Sequence, residues 1–193
     1  KSGDTVVVQQ AAGTATYLLD ALTDRADELE NVKIIGHNLW ETPRFLQPQY
    51  AKSFRHISQF LDRGARQAYR EGRVDPLPAF YCQMPKYYRE HSADVFFVML
   101  TEPDENGFCS YALNADYSVA NMEAAKTVVA QINPSLPWTY GARGSLDELD
   151  YIVIHDQPLP ELTKSRTGGV EQQIAAHIVP YIQDGACLQL GIG

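Results

Sequence analysis

Few residues of this 193-residue chain stand in a pattern that does chemistry by itself. The segment Asp184-Gly185-Ala186-Cys187-Leu188-Gln189-Leu190-Gly191-Ile192-Gly193 reads as a short strand ending in two glycines separated by one residue. Alone it is a strand and a turn. Glycines at the carboxyl end of a strand also let a ligand approach the main chain closely, and they can aim N–H groups at a developing oxyanion. His37 ends the Val32 to Gly36 strand and His56 lies in Phe54-Arg55-His56-Ile57-Ser58. Both are expected at carboxyl edges of strands, where open α/β sheets bind ligands, with capping or loop hydrogen bonding as the competing role for each. Cys109 follows the turn-like Pro103-Asp104-Glu105-Asn106-Gly107, but no sequence feature supplies a base or a lowered pKa, so a small buried side chain is the better reading. His177 shares a helical face with Val170, Ile174, Ile178 and Tyr181 and reads as a packed helix residue rather than a ligand.

The standard chemical signatures are missing. A dinucleotide fold places Gly-x-Gly-x-x-Gly directly after its first strand, whereas this chain has Gln9-Gln10-Ala11-Ala12-Gly13-Thr14, with a single glycine. No Walker lysine follows a glycine-rich loop, and neither His-Glu-x-x-His nor Gly-x-Ser-x-Gly occurs, so phosphoryl transfer, zinc hydrolysis and serine hydrolysis lose their usual supports. Cys82, Cys109 and Cys187 have no Cys-x-x-Cys spacing and no paired histidine nearby, which argues against a zinc site and against a disulfide framework. A reducing compartment fits, and the expected location is the cytoplasm or an organelle matrix.

The elements that must position these residues follow from alternation. Apolar runs of strand length alternate with helical patterns, the signature of βα units and a largely parallel sheet. Val6-Val7-Val8 is continuous and β-branched, as a strand buried on both faces requires, and Tyr17, Leu18 and Leu22 follow at helical spacing after a small-residue loop. Further strands are expected at Val32 to Ile35, Val95 to Leu100, Val128 to Ile132, Tyr151 to Ile154 and Cys187 to Leu190. Helices are expected around Gly64 to Glu71, Met84 to His91, Val119 to Lys126 with Ser118 as N-cap, and Gly169 to Ile182, which Pro180 shortens or bends. Asp75-Pro76-Leu77-Pro78, Asn133 to Pro137 and Gln157-Pro158-Leu159-Pro160 read as loops crossing the sheet edge, because strands resume promptly after them. The class is α/β, with a largely parallel sheet and helices on both faces.

A hydrophobic content of 45% is enough for a substantial core. The formal net charge of -8 argues against general affinity for nucleic acid, which needs a basic face. It leaves room for an anionic ligand held by local cations or helix N-termini. No apolar run approaches the roughly 20 residues that cross a bilayer, so no membrane partner is expected. Both ends are abrupt, which is the expectation for a piece of a longer protein.

Taken in order, several segments resemble the acetyl-CoA hydrolase/transferase family, which includes 4-hydroxybutyrate and butyrate CoA-transferases. They are Ser2-Gly3-Asp4, Phe54-Arg55-His56-Ile57-Ser58, Met84-Pro85 with Tyr87-Tyr88-Arg89-Glu90, and Pro103 to Ser110. Asn133 to Pro137, Asp147 to Ile154, Pro158 to Glu161 and Gly185 to Gly193 complete the set. The likeness spans residues 1–193, read as an amino-terminal half. Departures are modest: Gly13-Thr14-Ala15 stands where the family often has Gly-Glu-Pro, and Leu136 where it has methionine.

The resemblance implies two similar α/β halves, with the catalytic glutamate in the second, beyond residue 193. No acidic residue of this chain is then the nucleophile. The implied reaction is CoA transfer between an acyl-CoA and a short-chain carboxylic acid such as acetate, butyrate or 4-hydroxybutyrate. The glutamate attacks the thioester carbonyl, expelling CoA thiolate and leaving an acyl-glutamyl anhydride; the thiolate attacks the glutamyl carbonyl and displaces the carboxylate; the enzyme-CoA thioester then meets the acceptor acid. No cofactor beyond the CoA thioester substrate and no metal is implied. The partners implied are these substrates, the second half of the same polypeptide and further copies in a homo-oligomer. Gln189, Gly191, Ile192 and Gly193 become the candidate oxyanion and CoA pocket wall. The Arg55-His56-Ile57-Ser58 match, with the first loop, makes His56, Ser58 and Gly13 candidates for a substrate pocket, against a competing structural role. An acetyl-CoA hydrolase and a non-catalytic CoA- or nucleotide-binding or assembly domain are the alternatives. On the oxyanion assignment, Gly193→Ala in the full-length protein lowers kcat by about 10- to 1000-fold with little change in Tm, whereas a glycine that only serves a turn loses mainly stability.

Overall fold

Val6-Val7-Val8 has no polar residue to offer to water, so the strand that carries it, β1 (Thr5–Val8), must be covered on both sides. Its neighbours are equally apolar: β2 (Val32–Ile35), and β5 (Val95–Leu100), whose residues Phe96, Val98 and Leu100 are inaccessible to solvent. With β3 (Phe54–Ser58), β4 (Val74–Pro76), β7 (Val128–Ile132) and β9 (Tyr151–Ile154) they form a seven-stranded sheet in the order β4-β3-β2-β1-β5-β7-β9. Every pair in it is parallel. This architecture is seen in a computed structural model that describes residues 1–39, 41–161 and 168–189. Two compact units divide the chain, Lys1–Pro160 and Glu161–Gly193, and the sheet belongs to the first.

Alternate strand residues feed two cores, one on each face. Val6, Val8, Ile34, Phe97 and Met99 pack with Leu18 and Leu19 of α1 (Thr16–Asp24) and Ala68 of α2 (Arg63–Arg70). Val7, Ile35, Phe96, Val98 and Leu100 pack with Met84 and Tyr88 of α3 (Met84–Glu90) and Met122 of α4 (Ser118–Ala124). A two-stranded antiparallel ribbon, β6 (Phe108–Ser110) with β8 (Arg143–Ser145), carries the chain over the carboxyl edge.

Five local expectations change. His56 does not follow a strand: it is the central residue of β3, on its buried face with Phe54 and Ser58. Val74–Pro76 is not loop but the edge strand β4, which tolerates Pro76 because an edge residue can turn its missing N–H outward; Arg55 and Asp75 clasp across it at 2.8 Å. Tyr117, not Ser118, occupies the N-cap of α4, because the Asp116 carboxylate already takes the Ser118 N–H at 3.0 Å and its hydroxyl at 3.1 Å. Cys187 to Gln189 is not in a ladder, since no neighbouring strand among the described residues pairs with it; Leu190 lies outside the described residues. The helix at Gly169, α5 (Gly169–Ile178), ends in a tighter turn over Val179–Tyr181 around Pro180. Its Val170, Ile174, His177, Ile178 and Tyr181 are exposed rather than packed, because Glu161–Gly193 is too small a unit to bury that face.

Where β1 ends, a side chain continues the sheet. The Gln9 N–H donates to the Phe97 carbonyl at 3.1 Å, and then the main chain turns away. The next β5 donor on that side, the Met99 N–H, is met by Gln9 Oε1 at 2.9 Å, in the place a continuing strand's carbonyl would occupy. Gln9 Nε2 donates in turn to the Asn114 carbonyl at 2.5 Å, and Asn114 Nδ2 to the Gln10 carbonyl at 2.7 Å. Gly13 completes the arrangement: a Cβ there would stand 2.8 Å from Gln9 Cδ and 3.1 Å from Asn114 Cβ. Gln9→Leu strands two buried backbone groups and costs about 2–4 kcal/mol in urea denaturation; a loss below about 1 kcal/mol contradicts the role given to this amide.

Candidate functional site

The order of the strands locates the site. From β1 the chain steps outward through β2, β3 and β4, then returns to place β5 on the other side of β1. Loops leaving the carboxyl ends of β1 and β5 therefore diverge, and such a switch point is where open α/β sheets bind ligands. A pocket of ≈ 390 Å³ lies beside it, lined by Gln10, His37, Asn38, Gln59, Phe60, Ala79 and Tyr81. These residues come from the segments that follow β1, β2, β3 and β4, so one edge of the sheet assembles residues spread over more than a third of the chain.

Backbone strain marks the floor. Ala11 has φ 48° and Asn38 φ 46°, left-handed values that cost an alanine on the order of 1 kcal/mol. They are held there by each other: the Ala11 N–H donates to the Asn38 carbonyl at 3.1 Å, and Ala11 pairs with Leu39 in an isolated parallel bridge. The loops after β1 and β2 are thus tied together before any ligand arrives.

His37 is the buried polar centre. The Gln59 N–H donates to its Nδ1 at 2.9 Å, which fixes the ring proton on Nε2, 3.1 Å from the Tyr88 hydroxyl. Burial, and secondarily the neighbouring His56, lower its pKa from 6.5 to about 4, so the imidazole is neutral at pH 7. Behind it stand Tyr88 and Tyr117, both fully buried, with the Tyr117 hydroxyl donating to the Val8 carbonyl at 3.1 Å. At the mouth, Gln10 Nε2 donates to the Tyr81 hydroxyl. Burial and the charge of Asp116 raise the Tyr81 phenol well above its ordinary value. Asp116 itself is driven up by burial, against the hydrogen bonds it accepts from Ser118; its Oδ2 is buried with no well-formed hydrogen bond, close to Tyr81 and Gln10.

The residues singled out from sequence fall around this pocket in different ways. His56 is buried behind it, its Nδ1 donating to the Ile34 carbonyl at 2.9 Å, its ring edge-on to Phe45, and burial lowers its pKa. Ser58 is buried and donates to the Phe60 carbonyl at 2.8 Å, which shapes the lining loop without presenting the hydroxyl to the pocket. Gly13 lies against Gln9 and Asn114 at the switch point. Cys109 is buried, and burial first, then Asp104, raise its thiol to about 11, away from the thiolate a nucleophile needs. Gln189 is exposed, and Gly191, Ile192 and Gly193 lie outside the described residues. Sequence reasoning missed Gln10, Gln59, Phe60 and Tyr81; the available signal was position, since Gln10 and Gln59 closely follow the carboxyl ends of apolar strands. No group of histidine, cysteine and acidic side chains able to hold a metal occurs among the described residues, and no described helix is long and apolar enough to cross a membrane.

Comparison with known proteins agrees with this geometry. Residues 1–162 match the acetyl-CoA hydrolase/transferase N-terminal domain, so the chain belongs to the acetyl-CoA hydrolase/transferase family. It is 33% identical over 191 residues to the 4-hydroxybutyrate coenzyme A transferase of Clostridium kluyveri, covering 97% of this chain and 44% of that protein. It is 30% identical to the butyryl-CoA:acetate CoA-transferase of Anaerostipes caccae, covering 100% of this chain and 45% of that one. Among solved structures, RipA from Yersinia pestis superposes with a TM-score of 0.91 at 26% identity, over 100% of this chain and 48% of its own. The 4-hydroxybutyrate CoA-transferase from Porphyromonas gingivalis does so with a TM-score of 0.81 at 26% identity, over 100% and 45%. The chain spans about half the length of the relatives it matches.

The neutral His37 has a measurable consequence. Its folded pKa lies below its unfolded one, so the unfolded chain takes up the extra proton: the stability is complete above about pH 6.5 and is lost as pH falls toward about 4. His56, shifted the same way, adds to the loss. Urea denaturation should show a drop of which His37 contributes about 2 kcal/mol between about pH 7 and about pH 5, and His37→Gln should remove that share of the slope. An unchanged slope in the variant contradicts the buried neutral assignment.

Proposed function

We propose that this chain is the amino-terminal half of a CoA-transferase that moves CoA between an acyl-CoA and a short-chain carboxylic acid through a glutamyl-CoA thioester. The observation that carries the reading is the composition of the switch-point pocket in a member of this family. It is walled by Phe60, Ala79 and Tyr81 and floored by uncharged amides and a neutral imidazole, and no carboxylate is among its lining residues. Such a surface can hold and orient an acyl group but has nothing in it to attack one. Asp116 lies close to Tyr81 and Gln10, and its raised pKa and hydrogen bonds from Ser118 suit it to a supporting role. On this reading the nucleophile comes from outside residues 1–193, as the family resemblance implies, and a glutamate carried by the second half is the group proposed.

The apolar surfaces point the same way. Tyr151, Ile152 and Ile154 of the edge strand β9 are exposed, and so, in the other unit, are Val170, Ile174 and Ile178 along one face of α5. Unpaired strand edges and apolar helix stripes of this kind are normally covered, and the second half of the polypeptide with further copies in a homo-oligomer would cover them. The wall of backbone donors for the oxyanion is assigned to Gln189, Gly191, Ile192 and Gly193, and no cofactor beyond the CoA substrate enters the scheme. The three cysteines are free, as a reducing compartment such as the cytoplasm requires.

Mass spectrometry of the full-length protein, incubated with acetyl-CoA and quenched, should show CoA attached through a hydroxylamine-labile bond to a glutamate in the second half. Residues 1–193 alone should transfer no CoA. Turnover with the adduct on a residue of 1–193, or with no enzyme-bound CoA at all, contradicts the proposal. Release of CoA in the absence of any acceptor acid at the same rate identifies a hydrolase instead.

A further inference from the structure

Two relatives of the family act on different acyl groups, and the lining of the switch-point pocket bears on which kind this protein takes. The pocket exposes both hydrogen-bond donors and acceptors, none of them charged. The Asn38 side chain has no hydrogen bond among the described residues, and Gln59, whose Nε2 donates to the Ala79 carbonyl, has an Oε1 with no donor among them. The Tyr81 hydroxyl accepts from Gln10 and is directed at the Asp116 carboxylate, so the ring face rather than the hydroxyl is what it offers the pocket. Phe60 and Tyr81 stand exposed at the mouth, and Ala79 leaves the wall apolar.

Cations are absent from that lining, and several in the flanking segments are engaged elsewhere, whereas Arg63, three residues after Phe60, has no ion pair among the described residues. Arg55 is clasped by Asp75, Arg66 donates to the Leu61 carbonyl, Arg73 pairs with Glu71 and Lys86 with Glu90. The charge that does lie close is negative, that of Asp116 behind Tyr81 and Gln10. A carboxylate at the far end of an acyl chain would lose its water there, find no counter-charge among these lining residues and meet the field of Asp116. A methyl or hydroxyl end meets no such penalty, since apolar wall and uncharged amides satisfy it.

We propose that this pocket receives the tail of the acyl group and selects monocarboxylic acyl groups with an uncharged tail against dicarboxylic ones, with the exposed rings of Phe60 and Tyr81 as the specificity-determining rim. The inference rests on the CoA-transferase reading above and deepens it.

The test uses the full-length protein with acetyl-CoA as donor and, as acceptors, butanoate, 4-hydroxybutanoate and butanedioate, which share one chain length. The kcat/KM for the first two should exceed that for butanedioate by about 10-fold or more, the discrimination one unpaired polar group commonly produces. Phe60→Arg, at a position that is 60% exposed and so tolerant of the change, should raise the ratio of butanedioate to butanoate by about 10-fold by supplying the missing cation. A wild-type protein that uses butanedioate as well as butanoate overturns the inference while leaving the transferase reading standing. So does a Phe60→Arg protein, folded by its Tm, whose ratio is unchanged. Failure to transfer CoA to any of the three acids overturns the transferase reading, and the inference with it.

Discussion

The hydrogen bond from the Met99 N–H to Gln9 Oε1 is where the sheet stops being a sheet and becomes a site. A parallel ladder cannot simply end between two central strands, because each unpaired N–H buried there costs on the order of 1–3 kcal/mol. Gln9 resolves this by lending its side-chain amide to β5 while its main chain leaves, and its other end then fastens the loop carrying Asn114. The close packing of Gln9 on the Cα of Gly13 follows from the same demand: the amide needs the space that a Cβ would fill. The parting of β1 from β5, and with it the crevice, depends on this one residue being polar, long and uncharged.

Around that point the polar interior is built from neutral groups. His37, His56, Tyr88, Tyr117, Gln9 and Gln131 are all buried, and the histidines are kept uncharged by their surroundings. Neutral amides and phenols can be satisfied by backbone partners, as His56 is by Ile34 and Tyr117 by Val8, whereas a buried cation would need a buried anion. The result is a floor whose histidines stay uncharged at neutral pH. The thioester proposed as substrate of the full-length protein, which carries no charge at its reacting carbonyl, suits such a floor.

Much of this architecture is legible in the sequence, for physical reasons that also explain what is not. Val6-Val7-Val8 and Val95 to Leu100 announce buried parallel strands because continuous apolar, β-branched runs have few other stable uses. Val74–Pro76 is hidden because a proline reads as a loop, and only its place at the sheet edge makes it a strand. The Cys187 run looks like a strand by composition, yet a strand exists only with a neighbour to pair with. Val170, Ile174, His177 and Ile178 look packed because periodicity reports a face that wants covering and cannot say what covers it. The candidate pocket was the least legible part: Gln10, Gln59 and Tyr81 belong to no motif, and they meet only because four successive parallel strands end on one edge. The family resemblance supplied what spacing could not, since each matching segment is weak and only their order is specific.

On the proposed function, the switch-point pocket receives the acyl group while the attacking carboxylate approaches from the second half. This arrangement is tested most directly by a crystal structure of the full-length protein with an unreactive acyl-CoA analogue in which a methylene separates sulfur from carbonyl. The account predicts electron density for the acyl tail among Gln10, His37, Gln59, Phe60 and Tyr81, with a glutamate of the second half facing the carbonyl. An acyl tail bound elsewhere, with that pocket filled by protein side chains or solvent, would contradict it.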